Sequence, residues 1–344
     1  MGQFRVCPNI YQTLTSVEYY NMNNSNDRKS NYSEANSGGG LLWAYAVIIL
    51  SQIFFGSNQI LGRLVEGAVP PIGLSFWRWI IATLVVLPFT LKYLRDYGPI
   101  VLKEWRVYVG GAFCLIVLGN TTIYIALNHT TAINGALVSS VQPAVTFALS
   151  WLFFRELVSK GQIAGALIAI IGVMVIVTRG DMSVLTDLQP NPGDIWMIVS
   201  VIGFSLYAMS LQKMPTGVPA VLTLNVIQFL GIVLLLPFYA WETIYDRPME
   251  LNQFTIISVL WAGIIVAVAA LGLWNYSNHK LGANRASGTV HLRLVAITVM
   301  AIVVLGETVE TFHFVAFGII MVGVYAIIKS KPKKTTTTSN SKSI

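Results

Sequence analysis

Long apolar runs, separated by short polar breaks, fill this chain from Leu41 to Ile328. A hydrocarbon core of ~30 Å needs about 20 apolar residues per helix. On that measure the pattern predicts membrane-spanning helices at 41–61, 71–91, 105–127, 132–154, 162–178, 194–213, 219–240, 256–278, 283–305 and 312–328. The expected fold class is an all-α integral membrane protein with ten transmembrane helices. Residues 1–40, rich in Asn, Ser and Tyr, and residues 331–344, built of Lys, Thr and Ser, lack the apolar surface needed to order themselves. Both are expected to be disordered cytoplasmic tails. Met22 stands as an alternative translation start, which would remove residues 1–21.

The second half of the pattern repeats the first. Val69-Pro70 and Leu87-Pro88-Phe89 match Val218-Pro219 and Leu236-Pro237-Phe238 at an offset of 149. Asn128-His129, Asn134 and Ala136 match Asn278-His279, Asn284 and Ala286 at 150. Glu156 and Gly172-Val173 match Glu307 and Gly323-Val324 at 151. The expected domains are two five-helix repeats, 41–180 and 190–330. An odd number of spans per repeat makes the two copies inverted. Inverted repeats are a hallmark of secondary transporters whose site lies near the midplane.

Composition agrees with the spans, since 55% of the residues are hydrophobic and 11% charged. The net charge of +7 could suggest nucleic acid, but its placement points to the membrane. Lys92, Arg95, Lys103, Arg106 and Lys329 to Lys334 fall on one side, whereas Arg63, Arg179 and Arg247 are left on the other. Lys and Arg accumulate in cytoplasmic loops, so both termini are expected inside, in what would be a bacterial inner membrane. The two cysteines, Cys7 and Cys114, offer no metal-ligand spacing. No cleavable signal pattern precedes the first span. Phosphate-loop, zinc-protease and aspartate-rich motifs are absent, so neither an enzyme nor a cofactor is expected.

Several short pieces together resemble a known family. These are Phe55-Gly56-Ser57-Asn58, Trp77-Arg78, Tyr124 to Ala126, Asn134 to Pro143 with Phe154-Arg155-Glu156, and Leu305-Gly306-Glu307 before a Gly-spaced last helix. Over about 41–330 the chain resembles the drug/metabolite transporter superfamily, EamA type. The resemblance implies ten helices in two five-helix units and the movement of small metabolites, often amino acids. One departure is that the family's usual proline in the ninth span, corresponding to Pro143, is replaced here by Arg293 or Leu294.

Arg293 is the sharpest chemical feature. A charge deep in a span costs ~2.5–3.5 kcal/mol, and no Asp or Glu lies deep in any span to offset it. It would either pair with an anionic group on the substrate or bond to backbone carbonyls or Gln142. His291 is the candidate proton carrier, or else a neutral hydrogen-bonded ring. Ser139, Gln142, Thr146 and Ser150 form one polar stripe, beside a helix ladder that Pro143 breaks. The stripe would line a cavity or join helices. Asn58 and Gln52 lie nearly opposite on the first span, so one of them is expected to face the cavity. Tyr124, Tyr207 and Trp274 would either contact substrate or sit at the membrane interface, Asn275 is a further candidate contact, and Trp43, Trp79, Trp105, Trp241 and Trp261 are expected at the interfaces. Arg78, which matches the family's arginine in the second span, could snorkel towards the interface. Gly161, Gly165, Ala169, Gly172, Gly318 and Gly323 would serve packing or a homodimer.

The function expected from all this is secondary transport of a small anionic or zwitterionic metabolite such as an amino acid, most simply export, with proton coupling open. Alternatives are a sugar-phosphate or nucleotide-sugar exchanger, or a membrane scaffold that carries no solute. The expected partners are a small-molecule substrate and the lipid bilayer, with no nucleic acid.

Overall fold

A computed structural model describes residues 38–154, 160–181, 191–211, 213–215, 217–281 and 290–329. Among them every regular element is helical. They are α1 (Gly38–Leu64), α2 (Pro71–Lys103), α3 (Trp105–Leu127), α4 (Ala132–Ser139), α5 (Gln142–Phe154) and α6 (Lys160–Val177). The rest are α7 (Pro192–Leu211), α8 (Ala220–Asp246), α9 (253–281), α10 (290–305) and α11 (Thr311–Lys329). Six of these, α1, α2, α3, α7, α8 and α9, are long and apolar enough to cross a membrane. Shorter apolar helices cover Ile163–Ile176, Leu292–Leu305 and Thr311–Ala326.

The expected fourth span is two helices. Ser140 closes α4 with its N–H on the Ala136 and Leu137 carbonyls and its hydroxyl on the Leu137 carbonyl. Gln142 then opens α5, with Pro143 at the second position. Proline has no N–H to lend a helix interior but fits a first turn, so the chain breaks just ahead of it. The second span also departs from expectation, since α2 runs on to Lys103 through Pro88 and Pro99.

The duplicated sequence pieces take the same local forms. Pro70 and Pro219 stand just before α2 and α8 with nearly equal angles, φ −58°, ψ 130° and φ −56°, ψ 132°. Pro88 and Pro237 lie inside those helices. Wide π-type winding occupies Phe113–Thr121 of α3 and Trp261–Ala270 of α9. In α3 the Asn120 side chain and the Thr121 hydroxyl donate to carbonyls five residues back, Leu115 and Ile116, at 2.9 and 2.8 Å.

The largest buried core joins α4 and α5 with α6, α7, α10 and α11, and a second joins α2, α3 and α8. Within the first, α6 and α11 cross at matched glycines. A Cβ on Gly172 would lie 2.5 Å from Ile320 and 3.1 Å from the Ala316 carbonyl. One on Gly323 would lie 2.6 Å from the Ala169 nitrogen and the Gly165 carbonyl. Gly165, Ala169, Gly172 and Gly323 therefore serve contact within the chain. Gly318 faces open space. Gly323→Leu is expected to destabilise the protein by about 1–3 kcal/mol or more through overpacking, while Gly318→Leu is tolerated. Thermal unfolding of the two purified variants in detergent checks this.

Candidate functional site

Helix α1 carries the polar groups on which the site is built. Ser51, Gln52, Asn58 and Gln59 are all buried in an otherwise apolar helix, so each must find a partner inside the protein. Ser51 donates to the Ala270 carbonyl of α9 at 2.9 Å. The Gln52 oxygen accepts from Arg293 Nε of α10 at 3.0 Å. The Gln59 amide donates to Ser139 Oγ at 3.4 Å, and that hydroxyl meets the Met197 sulfur at 3.6 Å. Gln52 and Asn58 thus both turn inward, each to a different arginine. Both can be buried because α1 is flanked by helices on several sides: α9 and α10, and also α3 and α4.

Among the described residues the hydrogen-bond partner of Arg293 is Gln52. Gln52 takes the place expected for Gln142, and the guanidinium carbon sits 4.8 Å from the centre of the Phe55 ring. Gly56 lies against Met300 and Ile297 of α10, with a Cβ there 3.0 and 3.2 Å from them. That close approach of α1 and α10 holds Gln52 and Arg293 within bonding distance. Among the described residues no carboxylate pairs with Arg293; the one ion pair described in full joins Arg63 and Glu66.

Arg78 does not snorkel. Only 2% of it is exposed, and it points into the bundle. Its Nη1 donates to Asn58 Oδ1 at 3.1 Å and to the Tyr124 hydroxyl, which in turn donates to Asn58 Oδ1 at 2.6 Å. Trp79, expected at an interface, is buried at 4% exposure with its ring 4.7 Å from the Arg78 guanidinium. A cation over an indole face is favourable, which explains why the pair is buried together. Trp43, Trp105, Trp241 and Trp261 are exposed on the outside of the bundle.

The remaining site candidates fall out as follows. Tyr124 is buried and bonded as described, and Gly62 of α1 packs on its ring. Ser139 is held by Gln59, and Gln142 is half-buried at the start of α5. The expected polar stripe is cut by the break between α4 and α5, and Thr146 bonds Ser205 of α7 at 2.9 Å. Tyr207 packs with the α2, α3 and α8 core, and Trp274 packs with Tyr45 beside Ala44 and Ile48 at the start of α1. The side chains of His291, Asn275 and Ser150 lie outside the described residues.

Two carboxylates that the site reading did not use hold one end of the bundle together. After α10 the chain turns through Gly306 at φ +68°, a left-handed conformation that suits glycine. Glu307 then reaches the start of α4 and accepts from the N–H groups of Ala132 and Ile133 at 2.7 and 3.0 Å. At the end of α8, Glu242 likewise accepts from Ile72 and Gly73 of α2 at 2.9 and 2.6 Å. The first N–H groups of a helix have no partner within it and favour a negative charge. Further bonds at this end join His313 to Asn134 at 2.9 Å, Thr130 to Asp194 at 2.6 Å and Arg247 to the Gly67 carbonyl at 2.5 Å. Every one of these bonds links the first half of the chain to the second.

Comparison with known proteins follows the same division. The model of the EamA-like transporter family matches residues 42–178 and 191–329. The chain is 24% identical over 294 residues to the uncharacterized transporter YetK of Bacillus subtilis, covering 84% of this chain and 88% of that one. It is 22% identical over 335 residues to a WAT1-related protein of Arabidopsis thaliana, covering 86% and 90%. An uncharacterized protein of Methanocaldococcus jannaschii matches over 130 residues at 28% identity, covering 37% of this chain and 91% of its own. A solved crystal structure superposes with a TM-score of 0.54 at 20% identity, covering 81% and 94%, and supports the fold.

Proposed function

Because the chain belongs to the EamA-like transporter family, and so is a multi-pass membrane transporter, we propose that it moves a small anionic or zwitterionic metabolite. An amino acid or related acid is the first choice, and export the direction. The reading places the solute at mid-membrane between two inverted five-helix repeats that open alternately to each side. The observation that carries it is Arg293, a guanidinium part-way along the bundle whose partners among the described residues are a neutral amide and an aromatic ring. A substrate carboxylate would supply a counter-ion in the planar geometry that guanidinium favours. Ser139, Gln142 and Asn58 orient the solute in this reading. Tyr124, Tyr207, Trp274 and Asn275 contact its body, and His291 is the carrier if a proton moves with it.

In this reading both termini lie in the cytoplasm, the side favoured by the distribution of Lys and Arg. The end tied by Glu242 and Glu307 then faces outward, and the conformation described is closed on that side. A sugar-phosphate or nucleotide-sugar exchanger stays second. It would need two cations on one solute, and Gln52 and Asn58 seat Arg293 and Arg78 on different faces of α1.

The test is counterflow in proteoliposomes loaded in turn with amino acids, carboxylates, sugar phosphates and neutral solutes, with and without a pH gradient. Saturable exchange of an acidic or zwitterionic solute is expected. Exchange confined to neutral or cationic solutes would overturn the assignment.

A further inference from the structure

Helix α2 carries three neighbouring buried polar groups whose hydrogen-bonding capacity is unused. Arg78 Nε, Trp79 Nε1 and Thr83 Oγ1 are all buried without a hydrogen-bond partner. Arginine and tryptophan side chains can only donate, so what is missing beside them is an acceptor. The groups that do bond to Arg78, Asn58 and Tyr124, are neutral, and among the described residues no carboxylate pairs with it. A buried charge with only neutral partners is strongly unfavourable until a counter-ion arrives.

We propose that Arg78, with Asn58, Tyr124 and the Trp79 indole N–H, forms a second oxyanion-binding site for a carboxylate or phosphate group. Its cation is a different one from Arg293, with Asn58 and Tyr124 shared along the proposed solute path, and it rests on the reading that the protein handles acidic solutes. The separation follows from helix geometry. Gln52 and Asn58 are six residues apart on α1, a rise of about 9 Å at 1.5 Å per residue, with their directions turned by roughly 120°. Acceptors so placed seat two different cations, so each is assigned its own oxyanion. Arg78 lies toward the end closed by Glu242, which bonds the first turn of the same helix. The second site therefore lies nearer that closed end than Arg293 does, on the route a solute follows when that end opens.

The experiment measures the thermal stability of the full-length chain in detergent against L-glutamate and inorganic phosphate, with chloride at matched ionic strength as control. Wild type, Arg293→Gln, Arg293→Gln with Arg78→Lys, and Arg293→Gln with Arg78→Gln are compared. Arg293→Gln is expected to keep a saturable response to at least one probe, and the responding probe identifies the oxyanion. Adding Arg78→Lys, which keeps the charge but loses the planar fork, is expected to raise the half-saturating concentration at least tenfold. Adding Arg78→Gln is expected to abolish the response. A residue that only pins helices together would lower stability in buffer and leave half-saturation where it was. A flat response of Arg293→Gln to both probes overturns the second site, as does an Arg78→Lys double variant that responds like Arg293→Gln alone. The lysine variant decides the matter even if the glutamine double variant fails to fold. Wild-type exchange of acidic solutes alongside a flat Arg293→Gln response sinks the second site and leaves the transporter reading standing.

Discussion

Arg293→Gln is expected to slow solute counterflow by about two to three orders of magnitude while the protein stays folded. Removing one member of a buried, hydrogen-bonded charge pair costs ~3–5 kcal/mol, and each 1.4 kcal/mol is about a factor of ten. Stability should not fall with the rate, because the free protein holds this cation without a described counter-ion, against a cost of ~2.5–3.5 kcal/mol. Glutamine can still meet the Gln52 amide that accepts from Arg293 at 3.0 Å. Counterflow in liposomes gives the rate, and size-exclusion profiles with melting curves report the fold. Wild-type rates in a folded variant would remove Arg293 from the solute's path.

The second large effect is expected at Glu307. Its carboxylate holds two N–H groups at the start of α4, and hydrogen bonds to charged groups contribute about 1.5–3 kcal/mol. Glu307→Ala leaves those donors without an acceptor and should shift the population toward an open end by roughly ten- to a hundredfold. Glu307→Gln keeps one acceptor oxygen and should lie between. The shift can be read with a cysteine placed at Ser139, after Cys7 and Cys114 are changed to Ser, as its rate of labelling by a membrane-impermeant maleimide from outside. A tenfold faster rate is expected in Glu307→Ala. An unchanged rate would mean that this bond does not govern closure.

Much of the fold was legible because burial in lipid writes itself into composition. Apolar runs reported helices, and the two Val-Pro and Leu-Pro-Phe pieces reported the same cap and the same interior proline in each half. The break ahead of Pro143 was signalled by its missing N–H, yet where α4 stops is decided by the Ser140 N–H and hydroxyl bonding back into that helix. The site was less legible, because partners come from distant helices. Arg293 stood out by its charge, but nothing local marked Gln52, 241 residues away, as its acceptor. Arg78 was left open because a cation near a span end can turn either way, and only the company of Asn58, Tyr124 and Trp79 decides. Glu307 did leave a trace, its match to Glu156 at an offset of 151. Glu156 itself lies outside the described residues. Reading that trace required knowing which helix start the carboxylate would reach.

The crossing of α6 and α11 carries a consequence for assembly. Gly172 and Gly323 are corresponding residues of the two copies, and each admits the other copy's helix. Such a contact is isologous, the kind that joins identical subunits about a twofold axis. A single unit of this sort, made alone, would leave its glycine surface bare and could cover it only with a sister molecule. In the linked chain a bulky change on either partner of that seam calls for a smaller residue on the other.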